Sequence, residues 1–398
     1  MFPSRRSLLH RKTPSGQANL WYLHYSRSHT DGQPVETELG YLRFFATQAT
    51  HLGIRLEVLT NGEGEADVVT ELAQPQLAEL DYRVVVSETP VLKWAEDSTE
   101  YLLNGVVALP LVCDEDALRA AMTAGRRARW QRHLTPELLE PALTEDHLWI
   151  PLGVSVNDAK MVQQQRLAAQ LRGQTTQSLP IYIEGGNMIV GEDADNRTIV
   201  LIGKDAIDAS TKVQGMTGEQ LKELLVKAFQ LEDPAQIIEV EQPGQFHLDM
   251  GLLFLGQGRV VVNDSTVALL NAKEMAELAP CTTTETMASL LQIQHTLEAI
   301  AVVDLEAAGL QVMRENLANG VYCNFCNGEF IASKTGQNYY ITNGTVPETE
   351  THFRKLMVQT WQVVDDVIFS PRELTHKSLQ ERGGVGCRIK GTSLLLNH

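Results

Sequence analysis

Residues 245–250 read QFHLDM and set a histidine and an aspartate two positions apart in an otherwise apolar run. On an extended strand, alternation would send His247 and Asp249 to one face and Phe246, Leu248 and Met250 to the other. An imidazole beside a carboxylate can carry protons near neutral pH. The plainer alternative is a structural pair satisfied within a core. Which of the two holds depends on what else the chain offers.

Three further clusters carry residue types that could act with such a pair. EGGN at 184–187 closes the apolar run LPIYI with Glu184, two glycines and Asn187. Glycines there permit a tight turn and close backbone approach to a ligand. WAED at 94–97 sets Asp97 shortly after Trp94, behind the strand-like YRVVVS. A carboxylate beside aromatic surface suits a planar cation. GGVGC at 383–387 brings Cys387 out of a glycine-rich turn and into a C-terminal strand, a good position for a nucleophilic thiol. Each cluster has an ordinary counterpart: a plain turn, an exposed turn acid, a buried structural cysteine.

Other motifs are weaker. Cys323 and Cys326 form CNFC, but no second C-x-x-C or H-x-x-x-H follows at finger spacing. A structural thiol pair is therefore preferred to a redox or zinc site. Asp158 in VSVNDAK is a further strand-end acid, without an aromatic neighbour. GQGRV at 256–260 lacks the Lys-Ser/Thr ending of a phosphate loop, and no calcium loop of the D-x-D-x-D-G type occurs. No metal and no cofactor are expected.

The chain that must position these residues has 398 of them, 43% hydrophobic and 21% charged, the balance of an ordinary globular protein. No run approaches the roughly 18 apolar residues of a membrane helix, so no membrane partner is expected. A net charge of −17 argues against a nucleic-acid partner and is compatible with a cationic substrate. Five cysteines, an odd number, and no apolar signal segment suggest free thiols in a reducing, cytoplasmic compartment. Whether the chain forms a homo-oligomer is left open.

One theme recurs: an apolar strand, a polar cluster, a hairpin-like segment, another apolar strand. It appears around Asp97, Glu184, His247 and Cys326. The C-terminal GGVGCRIKGTSLLL offers a last strand that could pair with NLWYLHY near the start and close the structure. Helical spacing lies between these units. TGEQLKELLVKAFQL opens on the capping-box residues Thr217 and Gln220 and carries Leu221, Leu224, Leu225 and Ala228 on one stripe. ETHFRKLMVQTW and ETMASLLQIQHTLEAI are two more candidates. Strands alternating with helices predict an α/β fold. Residues 1–17 read as a flexible or loosely docked basic arm, 18–398 as one domain, and 114–147 as a helical insertion that could cover a site.

WAED, EGGN, HLD and GGVGC occur in that order, with the cysteine close to the C-terminus. This pattern resembles the guanidine-modifying, or pentein, superfamily of arginine, agmatine and peptidylarginine deiminases, dimethylarginine dimethylaminohydrolase and amidinotransferases. The likeness spans about residues 80–398 and rests on short motifs. It implies a five-fold pseudosymmetric α/β propeller that binds a small guanidino substrate or an arginine side chain of a peptide or protein. Cys387 would attack the guanidinium carbon, His247 would move protons, and Glu184 would support His247 or the substrate. Asp97 and Asp249 would hold the guanidinium, with Asn187 and Trp94 beside it. Two positions depart from the pattern: Glu96 stands where many deiminases have Arg or Gln, and Asn187 where Asp or Ser is common. The expected reaction is hydrolysis to a ureido product and ammonia. The alternatives are amidino transfer to an amine, a non-catalytic guanidinium binder, and a metalloprotein built on His247, Asp249 and the CNFC thiols.

Overall fold

The computed structural model describes residues 7–16, 18–27, 35–97, 99–143, 158–243, 246–266, 284–319 and 323–393. Five sheets repeat one strand pattern. Each holds an antiparallel pair with a third strand parallel to one member; in four the pair is close in sequence, whereas the fifth pairs Leu20–His24 with Ile389–Thr392 and carries a fourth, parallel strand. A short turn suffices for the first connection, whereas the parallel partner requires a long crossover. Helices occupy those crossovers, so the expected α/β architecture is present. Among the described residues no sheet closes on itself.

The chain divides into two compact units. The first comprises 1–13, 110–156 and 179–326, and the second 14–109, 157–178 and 327–398, so each draws on three separate stretches.

In the first unit, strands Met188–Glu192, Thr198–Gly203 and Ile237–Val240 form one sheet, and Leu252–Gly256, Arg259–Asn263 and Gln311–Glu315 form another. Their inner faces share a core of Ile189, Leu201, Val240, Leu252, Phe254 and Val260, against which the helix Thr284–Ala307 packs Ala301 and Leu305. The capping box at Thr217 and Gln220 is present and starts the helix Gly218–Phe229. Leu221 and Leu225 of that helix are buried, but Leu224 is exposed, so the apolar stripe is narrower than its spacing suggests.

Helices Glu115–Trp130 and Pro136–Leu143 occupy the expected insertion; its residues 144–147 lie outside the described residues. The first of these helices is anchored. Leu118, Ala121 and Met122 pack on Tyr182 and Ala209. Arg126 and Arg129 reach Asp205 at 2.5 and 2.7 Å, and Arg129 also meets Glu241 at 2.8 Å. Buried charges persist only when paired in this way, and such anchoring suits a scaffold better than a lid. Of the N-terminal arm, residues 1–6 and 17 lie outside the described residues. Residues 8–12 are docked: Leu8 N–H donates to Phe229 O at 3.0 Å and Lys12 N–H to Val190 O at 2.8 Å.

In the second unit, strand Leu20–His24 lies between Arg55–Asn61 and Ile389–Thr392, with Leu20 opposite Thr392. The expected pairing of the last strand with the first is therefore present. Tyr82–Ser87 completes that sheet. Two smaller sheets follow, Glu100–Tyr101, Val107–Leu109 and Thr176–Ser178, then Gly328–Ala332, Asn338–Thr342 and Asp366–Phe369. Trp21, Phe45, Leu56, Val58 and Ile389 belong to one core, with helix Val35–Leu52 against the large sheet. No helix of the described residues is long and apolar enough to cross a membrane.

Candidate active site

The chemically competent residues fall into two groups, one in each unit. In the first unit, 179–184 join no sheet and bend at Pro180 and Ile181, and Glu184, itself extended, precedes a single 3₁₀ turn, Gly185–Asn187, that leads into strand Met188–Glu192. Gln245 lies outside the described residues, and the rest of QFHLDM is not a strand. His247 caps a second 3₁₀ turn, Leu248–Met250, with extended backbone at φ −118° and ψ 149°. The shared orientation of His247 and Asp249 thus has a different origin from strand alternation. A Cβ added at Gly186 would lie 2.4 Å from His247 Nδ1 and 2.7 Å from Asp249 Oδ1, so both side chains converge on this one residue. Only glycine leaves room for them.

His247 is 1% exposed, and its Nε2 lies 2.5 Å from Glu184 Oε2. An ionised carboxylate only accepts hydrogen bonds, so Nε2 donates to Glu184 and proton exchange is left to Nδ1. Among the described residues Nδ1 has no hydrogen-bond partner. Glu184 thereby fixes the tautomer and leaves one ring nitrogen ready to take and return a proton. Asn187 donates from Nδ2 to Phe246 O at 3.0 Å and holds the backbone just before the histidine. Cys326 belongs to the same surroundings. Burial, then the charges of Asp249 and Cys323, push its thiol well above the ordinary range. A thiol kept protonated in this way is a poor nucleophile and a poor metal ligand. Cys323 and Cys326 are buried and form no disulfide.

In the second unit, Cys387 lies in a one-turn helix, Val385–Arg388, directly before strand Ile389–Thr392. It is buried, where its position in the sequence suggested exposure. Asn327 Nδ2 donates to Cys387 Sγ at 3.3 Å. Asn327 Oδ1 accepts the N–H groups of Gly386 and Cys387 at 2.8 and 3.3 Å. Asn343 Oδ1 accepts from Val385 N–H at 2.9 Å. The glycines of GGVGC make room for these contacts. A Cβ at Gly384 would meet Asn327 Oδ1 and Asn343 Nδ2, each at 2.5 Å. One at Gly383 would strike the Trp94 ring at 2.3 Å.

WAED lies in a turn beyond strand Tyr82–Ser87, with Asp97 half-buried. Glu96 N–H donates to Cys387 O at 3.3 Å, which ties this turn to the cysteine. The Trp94 ring faces the cationic groups of Arg388 and Lys93, each at 4.8 Å. Arg388 is held in turn by Glu38 at 2.5 Å. Glu96, the departure from the motif pattern, lies 3.9 Å from buried Lys390, which also meets Glu100 at 2.5 Å. A local cation thus accommodates the extra acid. Sequence reasoning missed Asn327 and Asn343.

No family model matches the chain, and neither does any curated protein. Solved structures do match. The agmatine deiminase of C. jejuni aligns over 98% of this chain and 96% of its own, at 11% identity and a TM-score of 0.57. That of Enterococcus faecalis aligns over 97% and 96%, at 11% identity and a TM-score of 0.59. A cysteine-to-serine variant of the C. jejuni enzyme with substrate bound matches over 97% and 96%, at 10% identity and a TM-score of 0.58. At such identities the shared property is the fold, and it extends over nearly the whole of each chain.

Proposed function

We propose that this chain is a deiminase that hydrolyses a guanidino group to a ureido product and ammonia. The carrying observation is the convergence of His247 and Asp249 on Gly186, with Glu184 behind the imidazole. The fold shared with agmatine deiminases and the four ordered motifs support the reading. The fivefold repetition of one strand pattern supports the pseudosymmetric propeller that the resemblance implies.

A guanidinium is planar and resonance-stabilised, so attack on its carbon needs a strong nucleophile, a fixed plane and a protonated leaving group. Asp97 and Asp249 hold the N–H edges and fix the plane. Cys387 Sγ bonds to the central carbon. His247, protonated at Nδ1, gives that proton to the departing nitrogen, which leaves as ammonia. A cationic thiouronium then remains on Cys387. His247 Nδ1 takes a proton from water as its oxygen attacks the same carbon. The C–S bond breaks, the thiolate returns, the remaining O–H proton of the added water passes to the released ammonia, and the ureido product departs. Positioned proton transfer of this kind contributes roughly 10²- to 10⁴-fold. The free thiols of the described residues fit a reducing, cytoplasmic setting.

The test is a panel of guanidino compounds (agmatine, arginine, a methylated arginine and an arginine-containing peptide) assayed for ureido product and ammonia. Product that disappears in Cys387→Ala is the expected result, a loss of roughly 10⁴-fold or more. Product that survives this substitution would remove Cys387 from the mechanism. Turnover that appears only with an added amine would move the reading to amidino transfer.

A further inference from the structure

We propose that Asn327 holds Cys387 in its thiolate form by donating a hydrogen bond from Nδ2 to Sγ. The inference deepens the reading above and rests on Cys387 being the nucleophile. A buried thiol faces a general difficulty. Desolvation disfavours the anion, which is the reactive form. Cys326 illustrates the outcome where carboxylate and thiol neighbours surround a buried sulfur: its proton is held more tightly.

At Cys387 the carboxylates of Glu96 and Asp97 also come within 4.8 Å of Sγ and disfavour the anion, and the amide of Asn327 donates to the sulfur against them. The orientation of the Asn327 side chain follows from its contacts. Its oxygen end is occupied by the Gly386 and Cys387 N–H groups at 2.8 and 3.3 Å, so its amine end faces Sγ at 3.3 Å. An amide nitrogen donates and does not accept. It therefore gains more from a charged sulfur than from S–H, and hydrogen bonds to ionised acceptors are roughly twice as strong as neutral ones.

The support behind Asn327 is also built. Its backbone oxygen accepts from Thr342 Oγ1 at 3.2 Å and from Asn343 Nδ2 at 3.0 Å. Asn343 spans from there to Val385 N–H at 2.9 Å. Gly384 and Gly386 leave the space that both asparagines fill. Asn327 thus touches the reacting atom, whereas Asn343 is a positioning residue that acts through it.

The measurement is a pH titration of the thiolate ultraviolet absorbance, taken in each variant as the difference from the same protein carrying Cys387→Ser. Asn327→Ala should raise the midpoint by about one pH unit, the size expected for a lost hydrogen bond to an anion. Asn327→Asp keeps an oxygen for the two backbone N–H groups but sets a carboxylate against the sulfur, and should raise the midpoint further. It also keeps the test available if the alanine variant fails to fold, which circular dichroism would reveal. Asn343→Ala loosens the same loop without removing an atom from Sγ, and should move the midpoint by less than about half as much. An unmoved midpoint in both Asn327 variants would overturn the proposal. So would an equal shift in Asn343→Ala, since the effect would then belong to loop order alone. The titration needs no substrate, so it stays readable if no guanidino compound is turned over. Turnover combined with an unmoved midpoint sinks this inference and leaves the deiminase reading intact.

Discussion

Two buried histidines, one in each unit, invite comparison. His24 ends the strand Leu20–His24, and its Nδ1 lies 2.8 Å from Leu92 O and its Nε2 2.9 Å from Gln165 Nε2. Both ring nitrogens meet neutral groups that suit the uncharged ring. Burial lowers its pKa to about 3. His247 is as deeply buried, yet one nitrogen meets a carboxylate and the other faces Gly186 beside Asp249. Burial therefore does not separate a structural histidine from a chemical one. The charge of its neighbours, and whether one nitrogen is left available, do.

The contrast can be broken in three places. The largest effect is expected from His247→Asn, which should lower guanidino turnover roughly 10²- to 10⁴-fold with the fold retained. A near-normal rate in a product assay would place His247 with His24 as a structural residue. Gly186→Ala comes next. Its methyl group would displace His247 or Asp249, and a displacement of about 1 Å can cost roughly 100-fold in rate. Unchanged kcat/KM would mean that the convergence on Gly186 has no part in turnover.

The smallest effect on activity is expected from His24→Gln. Turnover per folded molecule should stay at its original value, while stability falls by about 1–3 kcal/mol through a disrupted buried hydrogen-bond set. Its signature is in the pH dependence. The folded-state pKa is depressed from the ordinary 6.5 to about 3. The stabilisation is therefore fully present above pH 6.5 and is lost as pH falls toward 3, because the unfolded chain takes up a proton that the folded chain refuses. Denaturant titrations across that window should show a shallower decline in the variant, and an equally steep one would assign the acid sensitivity to other groups.

Much of this was legible in the residues. The recurrence of strand, hairpin and helix marked the repeated sheets, and the capping box at Thr217 marked a helix start. At the site, residue types were readable before their geometry. A short apolar run with polar groups two apart looks the same whether it forms a strand or a 3₁₀ turn, so HLD read as a strand. The roles of Asn327 and Asn343 were hidden for another reason. An asparagine beside glycine signals a turn locally, and its bonds to residues some 40–60 positions away leave no trace in spacing. The cation at the face of Trp94 comes from Arg388, far along the chain, and was equally hidden.

The pairing of Leu20 with Thr392 has a consequence for how the molecule is made. A ribosome releases Leu20–His24 long before its antiparallel neighbour Ile389–Thr392. Throughout synthesis, Leu20–His24 presents an open hydrogen-bonding edge that only Ile389–Thr392 can seal, and such edges recruit foreign strands. Contacts between segments so distant in sequence are also slow to form. Cys387 lies just ahead of that closing strand, so the proposed nucleophile is set in place only when this pairing forms. A nascent chain would carry the proposed acid–base residues long before that cysteine.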